Sequence, residues 1–344
     1  MSYMLCRALN IVAKVLELVA KFPEGVPQSY LTKALEVSKS YLSSVLRNLE
    51  KQGLVYRIRV GNMVIVKPVH IGSLFESRVK VLNLGIVWSS EYLFLGYFAK
   101  LLKEKEGIEL IVKIYPSALQ AVLALIRREV DATLSPLVTQ IYGYIISKNI
   151  AIIGGGTSGG GYIYEIPHNT SETIISSEIS TMDLCRAVAL RKKYIYTTAA
   201  STRYFSSPQE AITMIRRGLA RYAIVWHPIN IDVESIGGKK VLSCSELEEI
   251  SYCCTFAITK AFNQEIIERI ARIYKNSIEL FNKDKKRFID WYSATVGIEP
   301  SILKRALDEY IYIPELNPKY INKVVEALGI DVPAKEYLYQ AIQV

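Results

Sequence analysis

One pattern occurs twice in this chain: an apolar helix closing on paired arginines, a tight turn, and a strand that runs into proline. The first copy spans Ala121 to Pro136 and the second Ala211 to Pro228. The strands end on polar or aromatic groups, Ser135 in one copy and Trp226-His227 in the other. In open α/β sheets, ligands bind where the carboxyl ends of strands meet a crevice. Two lobes that each present such an end predict a clamp for a small molecule, with Ser135 and Trp226-His227 facing each other across it. Arg127, Arg128, Arg216 and Arg217 fall at helix C-termini, where cations suit the dipole and face solvent, so their role is structural.

A chain of 344 residues has room for two or three domains. It has no run of 18 or more apolar residues, which argues against a membrane span. Lys14, Glu17 and Lys21 interrupt the N-terminal apolar run, so it reads as an amphipathic helix and not a signal peptide; the expected location is cytoplasmic. Five scattered cysteines, an odd number, argue against a disulfide framework and suit a reducing compartment. Charge is unevenly placed: residues 1–70 hold ten Lys/Arg against four Asp/Glu, while the remainder is nearly balanced. A basic segment joined to a near-neutral one points to nucleic acid as the partner of the first.

Residues 4–21 carry Leu5, Leu9, Val12, Leu16 and Val19 at helical spacing, and Pro23-Glu24-Gly25 ends the helix. A second helix fits Ser29 to Glu36, with Leu31 and Leu35 inward. Ser38 can cap a third helix that runs to Gln52, with Gly53 after it. Residues 54–60, Gly61-Asn62 and residues 63–67 then read as a β-hairpin stopped by Pro68. Leu42, Val45, Leu46 and Leu49 share one face of the third helix; Ser40, Ser44, Arg47, Asn48 and Lys51 share the other. This order of elements, and the string from Ser38 to Val55, resembles a winged helix-turn-helix. The resemblance implies that the third helix enters the major groove, with Lys39, Ser40, Ser44, Arg47, Arg57 and Arg59 contacting DNA. The same face could instead be an ordinary solvated surface or a protein-contact module.

After a short link the pattern becomes strands alternating with helices, the signature of a parallel α/β sheet. Strands are expected at 79–87, 109–114, within the first repeat copy, and at 150–153. Residues 173–250 supply a second lobe, and residues 263–342 are helical. This succession resembles type II periplasmic solute-binding proteins, especially those related to sulfonate-binding and thiamine-pyrimidine-precursor-binding proteins. The implied fold class is α/β: a winged helix-turn-helix domain (1–70), a linker (71–79), and a two-lobed periplasmic-binding-protein-like domain (80–344). Lobe 1 would comprise about 80–166 and 256–344, and lobe 2 about 167–255. The resemblance also implies a ligand cleft walled by Ser89, Ser90, Ser117, Ser135, Thr157, Ser158, Ser180, Thr181, Trp226 and His227. Hydroxyls beside helix N-termini favour a small polar or anionic ligand, although any one serine can be merely a helix cap.

Gly154 to Gly159 satisfies G-x-G-x-x-G after a strand, but the following residues are β-like where a dinucleotide fingerprint needs a helix. In the solute-binding family this place is a glycine-rich loop into the hinge. His70, His168 and His227 are far apart and no C-x-x-C pair occurs, so no metal site and no cofactor are expected. Ser251 to Phe256 resembles the cysteine-rich strand of the thiamine-pyrimidine synthase in Cys253, Cys254 and Phe256, yet Thr255 and Ala257 replace two of its cysteines. Buried core cysteines are the simpler reading, and no catalytic residue is assigned.

The sequence thus reads as a cytoplasmic, ligand-responsive transcriptional regulator, not an enzyme. Its partners would be double-stranded DNA and a small ligand, with no membrane, and it would act as a homodimer. The architecture is analogous to LysR-type regulators but lacks their long helix between domains. The alternatives are a pyrimidine-synthase-like enzyme and a solute-binding protein with a protein-contacting winged helix.

Overall fold

The structure is a computed structural model that describes residues 2–22, 25–52, 54–61, 63–68, 80–167, 171–196, 202–329 and 341–342. The expected linker at 71–79, together with His70 and His168, lies outside these residues. The chain divides into two compact units, residues 1–77 and 78–344.

In the first unit, helices α1 (Ser2–Ala20), α2 (Gln28–Ala34) and α3 (Lys39–Lys51) precede the hairpin of β2 (Val55–Val60) and β3 (Met63–Pro68). A two-residue strand, β1 (Val26–Pro27), adds to the hairpin in the order β1-β3-β2. Sequence periodicity cannot reveal a strand that short. Ser38 caps α3 as expected, its hydroxyl accepting the Tyr41 N–H at 3.2 Å. Leu42, Leu46 and Leu49 pack with Val15, Val19, Leu31, Val55 and Val66 into one core. That leaves the polar side of α3 in solvent.

The second unit holds two sheets. The first lobe runs β4 (Val81–Val87), α4 (Leu95–Glu106), β5 (Glu109–Tyr115), α5 (Ala118–Ile126), β6 (Ala132–Pro136), α6 (Leu137–Ser147) and β7 (Ile150–Gly159). The second runs β8 (Gly161–Glu165), β9 (Ile174–Ser177), α7 (Thr181–Arg191), β10 (Thr202–Phe205), α8 (Pro208–Arg216), β11 (Tyr222–Trp226), α9 (Ile229–Ser235) and β12 (Lys239–Ser243). The chain then returns to the first lobe with β13 (Cys254–Thr259), α10 (Gln264–Lys283), α11 (Ile289–Val296), α12 (Pro300–Ala306), β14 (Tyr310–Ile313) and α13 (Pro318–Ala327). The strand orders are β14-β7-β13-β6-β4-β5 and β10-β9-β11-β8-β12. Both Arg-Arg repeats close helices as expected, with Arg127 and Arg217 in the C-cap positions of α5 and α8.

Three expectations need correction. Residues 154–159 are not a loop but the second half of β7, paired with β13 and β14. The lobes exchange at Gly160 and before Cys254, a few residues earlier than at 166 and 255, because β8 belongs to the second sheet and Cys254 to the first. Gly159 and Gly160 take φ of +96° and +66°, and a Cβ on Gly160 would collide with the Tyr310 ring, so the crossover needs glycine. Finally, Cys185 on α7 and Cys244 just after β12 form a disulfide, their Cα atoms 5.6 Å apart. The odd cysteine count concealed this pair, because the partners are 59 residues apart in sequence and meet only when α7 packs on the second sheet.

Candidate functional site

The carboxyl ends of β4 and β11 meet at the junction of the lobes. Trp226, last residue of β11, donates its indole N–H to the carbonyl oxygen of Trp88 at 2.9 Å. Ser90 Oγ lies 2.5 Å from His227 Nδ1 and 3.1 Å from the His227 carbonyl oxygen. The Thr139 hydroxyl on α6 donates to the Ile179 carbonyl at 2.5 Å, and the Thr181 hydroxyl to the Cys253 carbonyl at 2.8 Å. The two lobes are therefore held together by hydrogen bonds made mainly at strand ends. Burial, with the positive field of Arg305, pushes the His227 imidazole down to about 4, against the opposing field of Glu234. The ring is neutral at pH 7 and can accept from Ser90.

Beside this junction lies a cavity of about 30 Å³. Val87 at the end of β4 and Ser89, Glu91 and Tyr92 from the segment after it line the cavity, with Ser177, Ser180, Thr181 and Met182 from the second lobe. Trp226, Ala118, Pro136, Cys253 and Cys254 complete the wall. Helices α5, α6 and α7 all begin here, at Ala118, after Pro136 and after Ser180. Their unpaired N–H groups favour negative charge in the cavity.

No pattern in the sequence singles out Glu91. It follows two serines in what reads as a helix-capping loop, yet its side chain is only 3% exposed. Burial pushes its carboxyl up to about 7, opposed by hydrogen bonds involving Thr157, Cys254, Cys253 and Tyr92. Thr157 donates its hydroxyl to Glu91, and Cys253 Sγ lies 3.7 Å from Glu91 Oε2. Tyr92 donates its phenol to Cys254 Sγ at 3.1 Å. A hydrogen bond with Cys254 favours the Cys253 thiolate, but burial and the Glu91 charge together push that thiol up. Burial likewise pushes up Cys254. The two cysteines do lie buried at the start of a central strand, as the simpler reading held, and they also face the cavity.

The ten cleft residues expected from sequence separate into groups. Ser89, Ser180, Thr181 and Trp226 line the cavity, and Thr157 reaches it through Glu91. Ser90 and His227 pair with each other at the junction, outside the lining. Ser117 caps α5 by accepting the Gln120 N–H at 3.3 Å, and Ser158 sits on β7 opposite Ile311. Ser135 does not face Trp226-His227. Its hydroxyl accepts from Gln140 Nε2 at 3.1 Å inside the first lobe, where Gln140 also binds Thr255. The alternation of β6 turns Ser135 into that network, and the next residue, Pro136, reaches the cavity instead.

On the first unit, Lys39, Ser40, Ser44, Arg47 and Arg59 are exposed, the first four along one side of α3. Arg57 is not free. Its guanidinium donates to both Glu50 oxygens, at 2.9 and 2.6 Å, and reaches Ser43 at 3.5 Å. The hydrogen bond from Arg57 holds the Glu50 carboxyl below its ordinary range. Arg57 thus fixes the hairpin to α3, while Tyr56 and Ile58 face solvent on the other side of β2.

Comparison with known proteins also distinguishes two parts of the chain. Residues 10–62 match the MarR family, so the N-terminal unit is a MarR-type winged helix-turn-helix. The rest has the fold of periplasmic solute-binding proteins. A zinc-bound ligand-binding component of an ABC-type import system from Staphylococcus aureus is 17% identical, with 76% of this chain and 98% of that one covered and a TM-score of 0.64. The alkanesulfonate-binding protein from Xanthomonas axonopodis pv. citri, bound to MOPS, is 13% identical over 77% and 99%, at 0.64. The periplasmic nitrate-binding protein from Synechocystis PCC 6803 is 10% identical over 76% and 85%, at 0.60. No curated protein sequence matches the chain. Among the described residues no helix is long and apolar enough to cross a membrane.

Proposed function

We propose that this protein is a ligand-responsive transcriptional regulator, working in the cytoplasm, that binds double-stranded DNA through the winged unit and a small polar molecule through the two-lobed unit. One observation carries the reading: a DNA-binding fold with a free polar helix face shares its chain with a cavity walled by both lobes. A molecule in that cavity touches both sheets at once. It therefore has different affinities for joined and separated lobes, which is what a ligand needs in order to shift a conformational equilibrium. Among the described residues the lining carries the Glu91 carboxyl and no lysine, arginine or histidine, which favours a neutral or cationic occupant over a bare anion. Acting as a homodimer, the protein reads two half-sites roughly 34 Å apart or a multiple of that distance.

Selection of duplexes from a random-sequence pool, followed by affinity measurements across salt, tests the regulator reading. Enrichment of a two-fold-symmetric site, with affinity falling steeply as salt rises, supports it. A full-length protein that retains no duplex at low salt refutes it.

A further inference from the structure

Glu91, Cys253 and Cys254 form the buried polar cluster for which neither the junction nor the DNA-facing helix has a use. We infer that they bind one thiophilic divalent cation of the Zn²⁺ class, with a coordination position left open to the cavity. The inference names the occupant of the cavity, and so rests on its reading as a ligand site.

The donor atoms of the three residues all lie within 4.8 Å of one another. A tetrahedral ion with sulfur at about 2.3 Å and oxygen at about 2.0–2.2 Å holds such donors roughly 3.5–4 Å apart. Small side-chain rotations close that difference. Two thiols and one carboxylate suit a soft or borderline ion, whereas magnesium and calcium take oxygen ligands. The cavity of about 30 Å³ admits an ion with one or two waters, each water needing about 10–15 Å³.

The surroundings suit ligands that become anionic when they bind a cation. Helices α5, α6 and α7 open onto the cluster with their positive ends, which favour carboxylate and thiolate. Yet among the described residues no basic side chain lines the cavity, so an ion is the partner that can neutralise the deprotonated set. The supporting contacts that orient metal ligands are already present. Thr157 holds Glu91, Tyr92 holds Cys254 Sγ, and the Thr181 hydroxyl fixes the Cys253 carbonyl. The last of these belongs to the second lobe, so loading the site and joining the lobes are mechanically linked. On binding, the two thiols, and Glu91 where it is protonated, release their protons to solvent; two sulfur lone pairs and one carboxylate oxygen lone pair form the bonds to the metal. Nothing is oxidised or reduced.

Cobalt(II) titration of the full-length protein under non-thiol reductant tests the site, with DNA affinity measured in parallel. The expected result is uptake of one equivalent with thiolate-to-cobalt charge-transfer absorption, displaced by Zn²⁺. Cys253→Ser and Cys254→Ser should each weaken binding by at least about tenfold and diminish that absorption. Glu91→Gln, nearly isosteric, should weaken binding while keeping the absorption, which guards against a serine variant that fails to fold. No charge-transfer absorption in the wild-type protein, or its survival in the double serine variant, overturns the site. Cobalt bound with this signature but without effect on DNA affinity keeps the site and overturns the sensor reading. No cobalt uptake together with a DNA response to an organic molecule overturns the site and keeps the sensor.

Discussion

The hydroxyl of Ser90 and Nδ1 of His227 meet at 2.5 Å, joining the segment after β4 in one lobe to the end of β11 in the other. Both residues are buried, and burial keeps the imidazole neutral at pH 7.

This gives the junction a defined pH dependence. The His227 pKa falls from 6.5 to about 4 on folding, so the unfolded chain binds the extra proton between those values. The stabilisation is complete above pH 6.5 and is lost as pH falls towards 4. Over that window the wild-type protein should lose up to about 3 kcal/mol more than His227→Gln. Urea unfolding at pH 7 and pH 4.5 measures the difference, and parallel losses in the two proteins would contradict the assignment.

Arg47 and Arg57 should behave oppositely, although sequence alone groups them. Arg47 is exposed on the α3 surface, and Arg47→Ala should cost about 1–3 kcal/mol of DNA affinity with little change in stability. Arg57 is committed to Glu50, so Arg57→Ala should lower stability by about 1 kcal/mol. Fluorescence anisotropy with duplex DNA and urea melts of both variants separate the two roles. Equal losses of DNA affinity would show that Arg57 leaves Glu50 to meet the backbone.

The lobe crossover should tolerate no side chain at residue 160. Gly160→Ala places a Cβ against the Tyr310 ring at a left-handed backbone position and should cost about 2–5 kcal/mol. Gly218 also has positive φ, but its Cβ would meet nothing within 4 Å, so Gly218→Ala pays only the backbone strain and should cost less. Thermal melts of the two variants give the comparison.

These cases mark what was legible in the sequence. The three-helix unit and the alternation of strands and helices could be read because apolar spacing reports one buried face per element, as with Leu42, Leu46 and Leu49. Strands β1 and β14 were missed because two to four residues carry too little periodicity. Ser89, Ser180, Thr181 and Trp226 were found because strand-to-helix junctions point at clefts. That rule cannot tell which way a side chain turns, so it took Ser135 for a wall residue when Gln140 holds it inside the lobe. It also passed over Glu91, whose importance comes from Thr157, Cys253 and Cys254, all distant in sequence. The pairing of Arg57 with Glu50 is hidden for the same reason: it is a property of the packed hairpin, not of alternation along it.

The coupling between cavity and DNA is most directly tested by anisotropy of a selected duplex with the full-length protein, first with a chelator and then with saturating Zn²⁺. The expected result is a change in affinity of about 5–150-fold, equivalent to about 1–3 kcal/mol of coupling, that disappears in Glu91→Gln. An affinity unchanged by Zn²⁺ while the ion is demonstrably bound at Glu91, Cys253 and Cys254 would contradict it.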